Sequence, residues 1–307
     1  MKGTVPMTSG HWMQGPPKKI LLATDLSARC DRALDRALAL AGEWQAGLVV
    51  VHVLEDASPV PTDESNAQPS WRHPPNARSV AEMRARADLS DIAADATVVI
   101  ESGEPAEAIL RTAHTQDCGL IVTGVAKNEL LGRLVLGGTT ARLARRSELP
   151  VLVVRKRARR PYSRIVVATD FSESSRHALE AAQCFFPRQG LALFHAYDAP
   201  LSLMASDAAS HRAQFQEAAH RDAEAFLEAS GLAGRSGARP ELVLEYGDPD
   251  RLLTEYVNAK GIDLVALGTH GRSAMFHILI GSVAQSLVET LPCDVLVVRN
   301  PEAKPSD

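Results

Sequence analysis

Short runs of apolar, mostly β-branched residues alternate along the chain with longer stretches of helical periodicity. In the second half, the runs lie at 164–168, 192–196, 241–245, 264–267 and 295–298, and the first half contains five counterparts. Strands separated by helical stretches are typical of βαβ units, which form parallel sheets. Because the runs are apolar on successive residues, helices are expected to cover both faces of each sheet.

The two halves repeat one another. Segment 20–27, Ile-Leu-Leu-Ala-Thr-Asp-Leu-Ser, matches segment 165–172, Ile-Val-Val-Ala-Thr-Asp-Phe-Ser, at an offset of 145 residues. Further collinear matches keep nearly this offset: His52 with His195, Gly103 with Gly247, Gly124 with Gly268, and 151–155 with 295–299. Cys293 and Asp294 are an insertion before the last strand of the second half. Such a repeat indicates a duplicated domain.

We therefore predict an α/β fold made of two tandem open parallel five-stranded sheets, each with helices on both faces. Copy one is placed at 18–157 and copy two at 158–300, between flexible tails at 1–17 and 301–307. Helix starts are predicted at Ser172, at Asp248-Pro249 and at Glu104-Pro105, because these residues suit a cap and a first turn. Segment 55–78 is predicted to be a long loop, whereas 205–227 of copy two is predicted to be helical.

A glycine-rich segment follows the fourth strand of copy two. It contains Gly268, two residues, Gly271, nine residues, and then Gly281-Ser282 at the start of a helix. Glycines allow close approach of the backbone or positive φ, and a helix N-terminus attracts anions. The spacing differs from a Walker A loop, and the Rossmann glycine motif follows a first strand instead. Because this strand end lies opposite Thr169-Asp170, the segment predicts a phosphate site in the crevice of an open α/β sheet.

In these features the chain resembles the tandem form of the universal stress protein family, over about residues 18–300. The resemblance rests on Ala168-Thr169-Asp170, on the glycine segment and on the closing Pro-(x)-Val-Leu-Val-Val-Arg strand. It implies an adenine nucleotide α-hydrolase-like, Rossmann-like fold that binds ATP, with ADP or AMP as alternatives and magnesium as a candidate companion.

The resemblance also implies the site residues of copy two. Those around the ribose and phosphates are Gly268, His270, Gly271, Gly281, Ser282 and Val283; Ala168, Thr169 and Asp170 line the nucleoside side, and Ala196 lies near the adenine. Leu267 and Arg272 complete the predicted set. In copy one, Lys127 replaces the second glycine, which costs about 1 kcal/mol or more if that position needs positive φ. We favour a degenerate site there, while weak binding stays open at Thr24, Asp25, Gly124, Lys127, Gly137, Gly138 and Thr139.

Several alternatives remain at this stage. The glycine segment is also compatible with a tight loop that binds nothing, and Asp170 with either a magnesium ligand or a helix-capping group. His52 and His195 are predicted to be core histidines with satisfied hydrogen bonds. No hydrolase motif or acid–base pair occurs, so catalysis is not expected as the main role. We predict a stress-response protein that signals through conformation or partner binding, with a slow ATP hydrolase or phosphotransfer protein and a nucleotide-free dimerisation scaffold as the alternatives.

Composition narrows these predictions. Of 307 residues, 45% are apolar and 23% charged, and the formal net charge of −4 argues against a nucleic-acid-binding protein. The basic run at 155–160 is interpreted as a solvated interdomain linker. The four cysteines lack paired spacing and are predicted to be small buried side chains. No apolar run is long enough to span a membrane and no secretory signal is recognised, which predicts a cytoplasmic protein.

The apolar last strands, 151–154 and 295–298, predict pairing of the two copies within the chain. A further homodimer and a protein partner stay open.

Overall fold

The computed structural model describes residues 15–27, 30–54, 77–89, 95–125, 129–130, 133–134, 137–198, 208–231, 239–269 and 281–300. The elements of copy one are β1 (Lys19–Ala23), α1 (Asp31–Trp44), β2 (Gly47–Leu54), α2 (Ala77–Leu89), β3 (Thr97–Ser102), α3 (Pro105–Thr115), β4 (Leu120–Gly124), β5 (Glu129–Leu130), β6 (Arg133–Leu134), α4 (Gly138–Arg146) and β7 (Val151–Val154). Those of copy two are β8 (Ile165–Ala168), α5 (Glu173–Phe185), β9 (Leu191–Tyr197), α6 (Ala208–Ala229), β10 (Glu241–Tyr246), α7 (Pro249–Lys260), β11 (Leu264–Gly268), α8 (Ser282–Thr290) and β12 (Asp294–Val298).

The predicted α/β fold is confirmed, and its two five-stranded sheets join into one sheet of ten strands. The order is β10-β9-β8-β11-β12-β7-β4-β1-β2-β3. Within this sheet, all strand pairs inside a copy are parallel, whereas β12 and β7 are antiparallel, with Val295 opposite Val153 and Val297 opposite Val151. The short strands β5 and β6 form a separate antiparallel pair. The carboxyl ends of the strands therefore lie at opposite edges of the sheet in the two copies.

Helices cover both faces of the sheet, as the continuous apolar strands predict. On one face, α1 and α5 bury residues such as Ala37, Leu40 and Leu179 against the strands. On the other face, α3, α4, α7 and α8 contribute residues such as Leu143 and Leu287. Alternate residues of each strand enter the two cores, because successive side chains of a strand point to opposite faces.

Three predicted helix starts are confirmed. The side chain of Ser172 accepts a hydrogen bond from the Ser175 amide at the start of α5, at 3.3 Å. Asp248 caps α7 and Glu104 caps α3 in the same way. Each side chain satisfies an amide that has no partner inside the helix. The helix predicted at 205–227 is α6, and α2 begins at Ala77; residues 55–76 of the predicted loop lie outside the described residues.

A buried polar network holds the two copies together. Its centre is Asp294, from the two-residue insertion of copy two, which has no exposed surface. Its Oδ1 accepts hydrogen bonds from the amides of Arg155 (2.8 Å) and Lys156 (3.0 Å). Its Oδ2 accepts a bond from the Tyr162 hydroxyl (2.6 Å) and lies 3.3 Å from Nε of Arg36. Burial, together with the Asp294 carboxylate, raises the pKa of Tyr162, so its phenol stays protonated and donates.

Two equivalent arginines reach across the junction in opposite directions. Arg155, at the end of β7, donates to the carbonyl of Val288 in α8. Arg299, at the end of β12, donates to the carbonyl of Arg146 in α4, at 3.5 Å. Each arginine is about nine-tenths or more buried. The copies are thus joined both by a strand pair and by a reciprocal exchange of side chains.

At the N-terminal side, the predicted tail 1–17 includes Pro17, which is buried next to Gly119; a Cβ on Gly119 would lie 2.8 Å from Cβ of Pro17. Residues 1–14 and 301–307 lie outside the described residues. Among the described helices, none is both long and apolar enough to cross a membrane.

Candidate functional site

The Thr-Asp end of strand β8 forms a tight turn. Phe171 adopts a left-handed conformation with φ 62°, which is unfavourable for a residue with a side chain. Two hydrogen bonds hold the turn: the Phe171 amide donates to Oγ1 of Thr169 (2.8 Å), and the Ser172 amide donates to Oδ1 of Asp170 (3.1 Å). Short polar side chains are suited to this role because they bond backbone amides two residues ahead. The motif therefore directs the chain from β8 into the cap of α5.

Copy one repeats this turn. Leu26 has φ 56°, its amide donates to Oγ1 of Thr24 (3.0 Å), and the Ser27 amide donates to Oδ1 of Asp25 (2.9 Å). The predicted residues Thr24 and Asp25 thus lie at the end of β1 as Thr169 and Asp170 lie at the end of β8. One carboxylate oxygen of each aspartate accepts a hydrogen bond from the turn. The two copies therefore share this geometry for a structural reason, whether or not a ligand binds there.

The histidines of the second strands support the same turns. Nδ1 of His195 donates to the carbonyl of Thr169 at 2.8 Å, and Nδ1 of His52 donates to that of Thr24 at 3.0 Å. A carbonyl oxygen only accepts, so the proton is on Nδ1 in both rings. The predicted hydrogen bonds are confirmed, but both rings are half-buried rather than buried in the core. The His195 ring packs on Phe171, with 4.3 Å between ring centroids.

The two ends of the glycine segment of copy two lie next to each other, across from the turn that follows β8. The Gly281 amide donates to the carbonyl of Thr269 at 2.8 Å. Gly281 is then the N-cap of α8, and no described side chain caps this helix, in contrast to α5 and α7. The first amides of α8 are therefore available to an anion at the positive end of the helix dipole.

A cavity of about 480 Å³ lies between the ends of β8, β9 and β11 and the helices α7 and α8. Nine of the predicted residues line it: Ala168, Thr169, Asp170, Ala196, Leu267, Gly268, Gly281, Ser282 and Val283. The other three, His270, Gly271 and Arg272, lie outside the described residues. The strand order reverses between β8 and β11, which is the position where open α/β sheets bind ligands.

The cavity also contains residues that the sequence did not indicate. These are Ser175, Phe194, His195, Pro249, Leu253, Ala284 and Leu287. Phe194 could have been found, because it precedes Ala196 by two residues and alternate residues of a strand share a face. The helix residues carry no local signal, since an apolar position that lines a cavity looks the same in sequence as one in the core. Most of the wall is apolar, and Asp170 is the one carboxylate among the described lining residues.

The packing of the protein itself requires a glycine at position 268, whatever the cavity binds. A Cβ at this position would lie 2.6 Å from the carbonyl carbon of Ser174 and 2.6 Å from its Oγ, inside the first turn of α5. Real Cβ atoms do not approach a backbone this closely, so α5 and β11 can pack as they do only around glycine.

We expect Gly268→Ala to lower the free energy of unfolding by about 1–3 kcal/mol, since a methyl group inserted here forces α5 away from the sheet. Urea unfolding followed by circular dichroism measures this change. Gly190→Ala is the matched control, because a Cβ at Gly190 meets nothing within 4 Å and its φ is not positive. Equal stability of the two variants would contradict the proposed close packing.

The equivalent crevice of copy one has a different wall. Thr123 and Thr140 occupy the positions of Leu267 and Ala284, and their hydroxyl oxygens are 3.4 Å apart. Thr140 also donates to the carbonyl of Gly124, at 3.3 Å. Gly137 is the N-cap of α4, which begins at Gly138-Thr139, again without a side-chain cap; Lys127 lies outside the described residues. The backbone of a second site is thus present, but a polar pair replaces two apolar groups.

Ion pairs also connect the helices on this side of copy one. Arg142 of α4 pairs with Glu104 and Arg146 with Glu107, both at the start of α3. Neither pair has a counterpart in copy two, where Ser286 and Thr290 replace the arginines. In copy two the cavity opens between the corresponding helices, α7 and α8. Surface pairs of this kind contribute about 1 kcal/mol or less each, so they favour a closed crevice in copy one only modestly.

Three of the four cysteines have raised thiol pKa values, which disfavours the reactive thiolate. Burial raises the pKa of Cys118 to about 11 and that of Cys293 to about 12, and it also raises the pKa of Cys30. Cys118 and Cys293 are buried as predicted, whereas Cys30 and Cys184 are half-buried. In the described part of the chain, no three side chains of histidine, cysteine, aspartate or glutamate cluster as metal ligands.

If the strands of copy two are counted in chain order, their order in the sheet is 3-2-1-4-5. An open parallel sheet with this order and a cavity at its switch point defines a Rossmann-like α/β protein. The family model described as "Universal stress protein family" matches the chain twice, at 16–155 and 161–299. This chain therefore belongs to the universal stress protein family and contains two copies of its domain.

Individual proteins agree with this assignment. A Staphylococcus haemolyticus protein assigned to the universal stress proteins is 32% identical over 146 residues, which are 46% of this chain and 87% of the relative. A crystal structure of a Pseudomonas aeruginosa protein with the same assignment covers 95% of this chain and 96% of its own, at 21% identity and a TM-score of 0.64. A universal stress protein from Archaeoglobus fulgidus covers 93% and 97%, at 19% identity and a TM-score of 0.59. The two structures show that the fold is shared over both copies.

Proposed function

We propose that this protein is a cytoplasmic stress-response protein that binds ATP or another adenine nucleotide mainly in copy two and signals through conformation or partner binding. The observation that carries the proposal is the meeting of nine predicted residues, from four separate segments, around one cavity at the sheet switch point. Its volume of about 480 Å³ is within the usual range of small-molecule sites.

The lining fits the parts of such a nucleotide. Ala196 and Phe194 offer an apolar wall at the end of β9, which suits a flat base. At the other side, the uncapped start of α8 at Ser282 offers amides and a hydroxyl, which suit phosphate. When bound, magnesium would neutralise phosphate charge, and Asp170 is the described carboxylate that could hold it. In this proposal, these lining residues serve to bind and orient the ligand.

The position of α8 supports the proposed signalling role. Its N-terminal end lines the cavity, while its Val288 carbonyl accepts a hydrogen bond from Arg155 of copy one. A ligand that orders the first turn of α8 would also act on a helix that contacts the other copy. The carboxylate and the imidazole among the described lining residues, Asp170 and His195, both bond the backbone of the turn after β8, so we propose binding rather than turnover.

Calorimetric titration of ATP, ADP and AMP tests the proposal. We expect one strong site per chain, and we expect Gly271→Lys, which copies Lys127 into copy two, to remove it. Unchanged binding in this variant would relocate the site to copy one. Absence of binding to the unmodified protein would favour the nucleotide-free scaffold, and hydrolysis above background in a single-turnover assay with magnesium would favour the slow ATPase.

A further inference from the structure

A second cavity, of about 580 Å³, lies at the junction of the two copies and is strongly basic. The described residues that line it are Asp31, Arg32, Arg155, Lys156, Arg157 and Arg159. Two of them belong to the first turn of α1, and the others follow β7 in the linker between the copies. We name this feature the junction cavity.

The junction cavity is separate from both nucleotide crevices. It opens where β7 ends, beside the amino end of β12, whereas the copy-two cavity lies at the carboxyl edge of copy two. It is also on the α1 face of the sheet, whereas Gly137 and Gly138 begin α4 on the other face. A ligand in it would therefore contact neither Gly137-Gly138 nor the described lining of the copy-two cavity.

The cations of this cavity exceed their acidic partners. Five cationic residues and one acidic residue line it. Arg157 pairs with Asp35 at 2.8 Å, and the Arg155 guanidinium reaches α8. The remaining cations, Arg32, Lys156 and Arg159, exceed the one lining carboxylate, Asp31, by two charges. Arg32 is held in place by a hydrogen bond to the carbonyl of Arg155, at 3.0 Å. Within the described ranges, Lys156 and Arg159 have no acidic side chain at ion-pair distance, and both are exposed. Such a concentration is unexpected on a chain whose net charge is −4.

The repeat provides an internal control for the charge of this cavity. The copy-two residues that correspond to Arg32, Lys156, Arg157 and Arg159 are His177, Asn300, Pro301 and Ala303. None of these carries a permanent positive charge. His177 instead lies 3.2 Å from Glu180, in a buried pair. Arg299 does correspond to Arg155, and Arg176 to Asp31, so the cations that belong to this junction alone are Arg32, Lys156, Arg157 and Arg159.

We propose that the junction cavity binds a short polyphosphate chain, either as inorganic oligophosphate or as the phosphate chain of a nucleotide. The positive excess matches a ligand with several negative charges close together. Arginine side chains bind phosphate oxygens with paired donors, and lysine adds a compact charge. Arg155 contributes its backbone carbonyl, which holds Arg32, while its guanidinium reaches the Val288 carbonyl of α8 on the other face of the sheet. Binding would therefore link the linker, α1 and, through Arg155, copy two.

Titration of inorganic triphosphate into the full chain tests this proposal, because triphosphate has no base for the copy-two cavity. We expect binding that weakens as salt is raised, and about tenfold weaker binding when Lys156→Gln and Arg159→Gln are combined. The matched control combines Arg84→Gln with Arg188→Gln, which removes the same charge from exposed positions elsewhere; it should leave the affinity unchanged.

ATP titrated into a Ser282→Asp variant distinguishes the two sources of phosphate. Equal affinity for triphosphate and ATP would support recognition of the chain alone, and tighter binding of ATP would support a nucleotide ligand. The proposal is overturned if neither ligand binds in a way that depends on Lys156 and Arg159, or if the control pair lowers the affinity as much as the junction pair. Because Lys156 and Arg159 lie away from the copy-two cavity, the dependence of binding on these two residues is independent of the proposed nucleotide site.

Discussion

Replacing Ser282 by aspartate is expected to weaken nucleotide binding about a hundredfold while the fold persists. An acidic residue in the first turn of a helix is favourable by about 0.3–1 kcal/mol, so α8 should tolerate the change. The same carboxylate would face the phosphates, and two charges about 4 Å apart repel by about 1 kcal/mol in water and about 4 kcal/mol near a protein surface. Calorimetry measures the affinity, and thermal unfolding checks that stability is retained.

Gly138→Asp is the matched control, since Gly138 occupies the same position at the start of α4. A Cβ there meets nothing within 4 Å, so aspartate fits without displacing a neighbour. If copy two holds the strong site, this variant binds like the unmodified protein. The reverse result, loss of binding in Gly138→Asp alone, would move the site to copy one. Full binding in both variants would show that phosphates do not lie at these helix starts.

The sequence was sufficient to predict the strands and the part of the site that lies at the strand ends, because both depend on local patterns. The predicted strand 264–267 is β11 with one more residue, and 295–298 is β12 with Asp294 added. Thr169 and Gly268 could be placed together because parallel strands end at one edge of the sheet. These are consequences of chain direction and periodicity, which a sequence displays directly.

The remaining features depend on contacts between distant parts of the chain. Gly268 could be interpreted as a phosphate-binding glycine, but its close approach to Ser174 follows only from how α5 packs on β11. The left-handed conformation of Phe171 has no signal of its own, since a large aromatic residue is unusual there. The insertion of Cys293 and Asp294 was visible, but its role was not, because the partners of Asp294 lie more than a hundred residues away.

Asp294→Ala is expected to lower the free energy of unfolding by about 3–5 kcal/mol. The carboxylate is fully buried, and its removal leaves the Arg36 guanidinium without its counter-charge and the Tyr162 hydroxyl without its acceptor. A buried group that loses its partner keeps the cost of leaving water without the compensating bond. Urea unfolding measures the change, and Asp35→Ala, which breaks the exposed pair with Arg157, should cost about 1 kcal/mol or less.

A double-mutant cycle with Arg36→Met separates this network from a loss of side-chain packing. If the buried charge of Arg36 causes the damage, adding Arg36→Met to Asp294→Ala should recover stability, because the uncompensated charge is removed and methionine keeps much of the apolar contact over Tyr162. We expect a coupling of at least about 1 kcal/mol between the two positions. Additive losses, or a cost for Asp294→Ala no larger than that of Asp35→Ala, would show that the strand pair β7–β12 joins the copies without this polar network.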